Sequence, residues 1–133
     1  MKICSLAFIV SLALSVSFLT QATSWQCHND IEVTCHAAGC NAVMDSNEQF
    51  TPADVSFNDE GNTQICMYSG CWAGKSQILT LSPYLVLLGE TLTWNNPADV
   101  QQISALISLE RASNIAIVQV AGFHEPLICQ STD

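Results

Sequence analysis

The sequence predicts an all-β fold: a small antiparallel β-sandwich or barrel of about seven to eight short strands with three disulfides, and one short helix near 97–103. Three observations predict it. Short apolar or alternating segments recur at regular spacing, each bounded by turn residues. A cysteine pattern occurs twice, as Cys35-His36-Ala37-Ala38-Gly39-Cys40-Asn41-Ala42 and Cys66-Met67-Tyr68-Ser69-Gly70-Cys71-Trp72-Ala73, each a cysteine pair around a glycine-bearing turn. Beyond residue 24 the cysteine count is even: Cys27, Cys35, Cys40, Cys66, Cys71 and Cys129.

Residues 1–24 read as a secretory signal peptide and 25–133 as a single domain. Lys2 precedes an apolar run from Ile3 to Leu19, and small residues follow at Ala22 and Ser24. Cleavage after either fits the pattern, and an uncleaved membrane anchor is the alternative. Cys4 lies too early for lipid attachment, and Cys27 lacks the small apolar residues that should precede a lipidated cysteine. A mature chain of about 110 residues is one domain with room for a core.

The elements follow in order. Ile31 to Cys35 alternates, placing Ile31, Val33 and Cys35 on one face, and Asn41 to Met44 continues it after the first cysteine turn. Asp54 to Phe57 and Thr63 to Met67 flank the strong turn signal Asn58-Asp59-Glu60-Gly61-Asn62. Gly74-Lys75 reads as a break before a strand from Ser76 to Leu81. Ser82-Pro83 punctuates the chain before the apolar run Tyr84 to Leu88, and Gly89 interrupts as a bulge or turn before Thr91 to Trp94. Asn96-Pro97-Ala98-Asp99 has an N-cap residue, proline at the first helical position and an acid in the first turn, hence the expected helix. Ser104 to Leu109 and Asn114 to Val120 form a hairpin through 110–113. His124-Glu125-Pro126 reads as an exposed turn, and Leu127 to Cys129 closes the chain.

Six cysteines permit 15 pairings. Glycine at the fourth position of each four-residue loop suits a hairpin, because that position commonly needs positive φ. Cys35–Cys40 and Cys66–Cys71 then staple their own hairpins, and Cys27–Cys129 ties the ends beside the first and last strands. The runner-up joins one copy of the pattern to the other. Zinc ligation by these pairs with His28 and His36 is the competing chemistry, but the secretory signal implies oxidised cysteines, which are not thiolate ligands. No Cys-x-x-Cys motif supports a redox dithiol.

All twelve acidic residues lie beyond residue 24, where Lys75 and Arg111 are the sole lysine and arginine. Clustered cations for phosphate contact are missing, so nucleic acid is excluded as a direct partner, and an anionic membrane surface is equally unfavourable. A cationic protein or divalent ion would be attracted. No calcium-loop, phosphate-loop or nucleophile-elbow pattern occurs. The chain therefore reads as non-enzymatic and without a cofactor. His28, His36 and the His124-Glu125 pair are the candidate ligands or bases, each more simply read as a surface residue. Tyr68, Ser69, Gly70 and Trp72 are the candidate binding residues. Of Trp25, Tyr68, Trp72, Tyr84 and Trp94, Trp72, directly after the second cysteine pair, is the one least expected to be fully buried.

Leu109 to Val118, Gly122-Phe123, Pro126 to Cys129 and Tyr68-Ser69-Gly70-Cys71-Trp72 together resemble small uncharacterised secreted bacterial proteins with a cysteine near the end. That resemblance implies a disulfide-bonded β fold. In size, charge and architecture the chain is also similar to the periplasmic lysozyme-inhibitor barrels, which present a small-residue Ser-Gly loop to a cationic enzyme. The similarity implies that part for Tyr68-Ser69-Gly70, held here between two cysteines. The expected function is a secreted or periplasmic binding module for a basic protein such as a lysozyme. A structural or accessory envelope protein without a discrete site is the runner-up, and a metal-dependent hydrolase the third reading.

Overall fold

The computed structural model describes residues 21–68, 70–96, 98 and 101–132. Eleven strands occur among them: β1 (Ser24–His28), β2 (Ile31–His36), β3 (Gly39–Met44), β4 (Asp54–Asn58), β5 (Asn62–Met67) and β6 (Gly70–Lys75). They are followed by β7 (Gln77–Thr80), β8 (Tyr84–Trp94), β9 (Gln102–Glu110), β10 (Ile115–Val120) and β11 (Phe123–Thr132). Every pairing is antiparallel. The order β1-β4-β5-β6-β8-β9-β10-β11 closes on itself because β1 also pairs β11, so the fold is an eight-stranded barrel rather than a sandwich. Three strands lie outside the closed path: β7 pairs β8, and the β2–β3 hairpin extends from β11.

The barrel interior is filled. Alternation along each strand turns Trp25 and Cys27, Val55 and Phe57, Leu85 and Leu87, Ile107 and Leu109, Ala116 and Val118, and Leu127 and Cys129 inward, where all are buried. Burying each of the larger side chains contributes roughly 1.5–3 kcal/mol of hydrophobic free energy. One barrel end is capped by Arg111, whose guanidinium lies 5.0 Å from the Trp25 ring centroid and 3.9 Å from Asp59.

The three disulfides take the first of the expected pairings, two within hairpins and one between the ends. Cys35–Cys40, Cys66–Cys71 and Cys27–Cys129 each join directly opposed residues of adjacent strands, with Cα separations of 4.1, 4.0 and 4.0 Å. The pattern glycines have the expected positive φ, 140° at Gly39 and 151° at Gly70. The bond between the ends sits where the barrel closes. Three such bonds are consistent with an oxidising compartment.

Several elements depart from the sequence reading. Gly74-Lys75 does not break the chain but continues β6. The two segments expected at 84–88 and 91–94 are one strand, β8, in which Gly89 stays paired with Ala105 and the register shifts between Gly89 and Leu92. No helix occurs among the described residues. Ala98 is in a turn closed by its N–H donating to the Asn96 side chain at 3.1 Å, while Gln102 and Ile103 already pair with β8. Asn96 caps this turn, and positions 97, 99 and 100 of the expected helix lie outside the described residues. The expected turn at 124–126 is instead the first half of β11. Pro126 is tolerated there because it falls where the β11 edge passes from β1, whose pairing stops at Ile128, to β2, which pairs at Phe123.

Candidate functional site

Tyr68 stands at the tip of the β5–β6 hairpin with 86% of its surface exposed, the most exposed large hydrophobic side chain among the described residues. The tip is held in two ways. The Cys66–Cys71 bond locks it from within, and the end of β8 supports it from outside: the Asn95 N–H donates to the Cys71 carbonyl at 2.9 Å. Gly70 is required by this docking as well as by its φ, since a Cβ there would come within 2.9 Å of the Trp94 ring. Ser69 lies outside the described residues.

Trp72 is not the exposed residue that the sequence suggests. It faces the barrel interior at 9% exposure and meets Trp94 edge-to-face, with ring centroids 4.5 Å apart. Its position on β6 opposite Ile65 sets this inward direction, and the adjacent turn does not alter it. Tyr68 and Gly70 therefore remain at the tip, and Trp72 is part of what the tip rests on.

The histidines do not converge on a metal site: among the described residues no group of three or more His, Cys, Asp or Glu is placed to hold an ion. His28 lies 3.8 Å from Asp30, and His124 Nδ1 is 3.2 Å from the Gly122 carbonyl. His124 and Glu125 are consecutive in a strand, so they point to opposite faces and form no dyad.

Glu125, expected in an exposed turn, is completely buried. Its Oε2 accepts from Asn29 Nδ2 at 3.2 Å and from the Val33 N–H at 3.3 Å, while Oε1 meets no partner. Burial pushes its carboxyl above the ordinary 4.5, against the hydrogen bonds from Asn29 and Val33, and neighbouring Glu32 adds to the rise. Asn29, also buried, donates to the Thr51 carbonyl at 3.2 Å and accepts from the Ala53 N–H at 2.7 Å. Glu32 accepts from the Thr51 N–H at 2.7 Å. This polar knot ties β2, β11 and the 51–53 segment together where the β2–β3 hairpin leaves the barrel.

Two features of the outer surface escaped the sequence reading. On adjacent strands, Ile115 opposes Ile128 and Ile117 opposes Pro126, and the three isoleucines are each about half exposed. With Ile31 and Asp30, part of this face lines a dent of about 180 Å³. A larger, shallow depression of about 520 Å³ crosses β1, β4, β5 and β6 and is lined largely by amides and hydroxyls such as Gln26, Ser56, Asn62 and Gln64. Neither contains a nucleophile–base pair.

No family model, no curated protein and no solved structure matches this chain.

Proposed function

We propose that this protein is a secreted or periplasmic, non-enzymatic binding module that recognises a cationic protein through the tip of the β5–β6 hairpin. The observation that carries the reading is Tyr68, an aromatic side chain displayed on a turn held by a disulfide and by β8. An aromatic anchor fixed before encounter loses little conformational entropy on binding, the property of interface hot spots. Twelve carboxylates against Lys75 and Arg111 give a field that draws a positively charged partner. Of these two cations, Arg111 is engaged with Trp25 and Asp59, and Lys75 with Asn62. The packed interior leaves the outside for binding. An apolar interior with amides and hydroxyls on the β1-β4-β5-β6 face is unlike the lumen and outer surface of a membrane-spanning channel barrel, which supports an aqueous location.

The test is binding of the oxidised domain to a panel of lysozymes and other basic secreted proteins at low and high salt, with Tyr68→Ala alongside. The expected result is a complex at low salt, released at high salt and weakened by about 30-fold or more in Tyr68→Ala, the loss typical of a hot-spot residue. Absence of any complex at either salt, or affinity unchanged in Tyr68→Ala, would reject this reading and favour an accessory envelope role.

A further inference from the structure

We propose that two copies of the domain pair edge to edge through β3, in an antiparallel arrangement centred on Ala42. The proposal is independent of the hairpin tip. It rests on a free sheet edge, on the chemistry of that edge, and on where the charges nearest to it fall.

In the strand order β3 is terminal, pairing with β2 alone among the described strands. The phase of that ladder is set by the Asp45 N–H, which donates to the Asp30 carbonyl at 3.0 Å. Odd-numbered residues of β3 therefore bond to β2, and Cys40, Ala42 and Met44 direct their N–H and C=O groups away from it. The Met44 carbonyl accepts from the Asn47 N–H at 3.0 Å. Three donors, at 40, 42 and 44, and two acceptors, at 40 and 42, remain on the open side. Five of the six residues of β3 are exposed, Met44 at 54%.

Natural edge strands are blunted by charge, proline, bulges or short length. The other open edge follows that rule: β7 has four residues, an irregular register against β8, and Lys75 and Pro83 on either side. By contrast β3, Gly39-Cys40-Asn41-Ala42-Val43-Met44, carries no charge, no proline and no bulge.

Charge placement favours a second copy as the occupant. With Ala42 opposite Ala42 of the second copy, Met44 lies opposite Cys40, and the ladder gains four backbone hydrogen bonds. Two run between the Ala42 residues, and one runs from each Met44 N–H to the opposing Cys40 carbonyl. No charged residue is opposed within the strands. The first carboxylate beyond each, Asp45, lies at opposite ends of the ladder, roughly 20 Å apart at about 3.4 Å per residue. That separation exceeds the Debye length of about 8 Å at physiological salt, so two strongly acidic chains can meet along this strand without local repulsion.

The test is sedimentation equilibrium of the oxidised domain from about 1 µM to about 1 mM, the range of weak and moderate dimers. Ala42→Pro removes an outward N–H and leaves the β2–β3 ladder intact. Ala42→Lys sets two ammonium groups against each other. Far-UV circular dichroism and thermal melting check that each variant is folded. The expected result is a concentration-dependent dimer in the wild type and in Tyr68→Ala. Ala42→Pro should weaken it by about 30-fold or more, the loss of the two central hydrogen bonds, and Ala42→Lys should weaken it through like-charge repulsion between opposed side chains. Hydrogen exchange at Ala42 and Met44 should slow as concentration rises, a readout that needs no variant. A wild type monomeric throughout the range, or a dimer unchanged in both folded variants, overturns the proposal. So does a monomer that loses binding of another protein on Ala42→Pro, which would assign the edge to a foreign strand.

Discussion

Removing the Cys27–Cys129 bond should destabilise the domain more than removing either hairpin disulfide. The three bonds share one geometry, each joining directly opposed residues of neighbouring strands, so the main difference is the chain each closes: a sequence separation of 102 against 5 and 5. Loop-closure entropy gives about 4.7 kcal/mol for the long loop and about 2 kcal/mol for each short one. The difference, about 2.7 kcal/mol, depends only on the logarithm of the ratio of loop lengths. Core packing acts in the same direction, since Cys27 and Cys129 are both buried and Cys40 is exposed. The assay is urea unfolding of three double Cys→Ala variants, which leave no free thiol. The Cys27/Cys129 variant should show the largest fall in midpoint. It should also show a steeper dependence on urea, because its unfolded chain is no longer held in a loop and exposes more surface. Equal losses in all three variants, or a larger loss in either hairpin variant, would refute the argument.

Further expectations concern the polar knot, the hairpin tip and the start of the domain. In the folded chain Glu125 keeps its proton above pH 4.5, whereas the unfolded chain releases it near that value. Its contribution is therefore full below pH 4.5 and lost as pH rises through the raised folded value. Glu125→Gln should match wild type in acid and exceed it at neutral pH, read from urea midpoints across the range; equal midpoints at every pH would refute a protonated buried carboxyl. Asn29→Ala removes three hydrogen bonds, two of them buried, and should cost about 2–4 kcal/mol in the same assay. Gly70→Ala forces a Cβ against Trp94 at a φ of 151° and should cost about 1–3 kcal/mol by thermal melting. If a signal is removed, mass spectrometry should find Thr23 as the first residue. The Thr23 carbonyl accepts the Asp59 N–H, and Ser24 pairs with both Asn58 and Thr132, contacts that cleavage after Ser24 would forfeit.

The parts of the fold legible in the sequence were those governed by local chemistry. The positive-φ glycines, the turn at 58–62 and the alternation in β2, β4 and β5 all follow from neighbours in the chain. Errors came where a distant strand decides. Ser24-Trp25-Gln26-Cys27-His28 alternates as a half-buried strand should, but it straddles the expected cleavage site and was not read as one. Pro126 argued against a strand because its harmless position, at the join between β1 and β2, exists only once the barrel is closed. Glu125 looked exposed for the same reason. Trp72 lies next to a turn, but strand parity, through its pairing with Ile65, sets its direction. The exposed isoleucines did have a signal: Ile115-Ala116-Ile117-Val118 is apolar at every position, whereas a strand with one wet face should alternate. Tyr68 is legible in the sequence as a candidate binding residue, but its exposure is not, since exposure at a tip depends on what the tip rests against.

The closing bond also fixes how the domain would bear tension. Ser24 and Thr132 are cross-strand neighbours, so a pull applied to the two ends would peel β1 from β11 one pair at a time, like a zipper. The zipper stops at Cys27–Cys129 after three residue pairs, and from there the load passes through a covalent bond. The 101 residues between those cysteines, and with them the filled interior and the hairpin tip, would carry no force. A chain tethered at both ends would thus keep its barrel shape under loads that unravel barrels closed by hydrogen bonds alone, until a reductant opened that link.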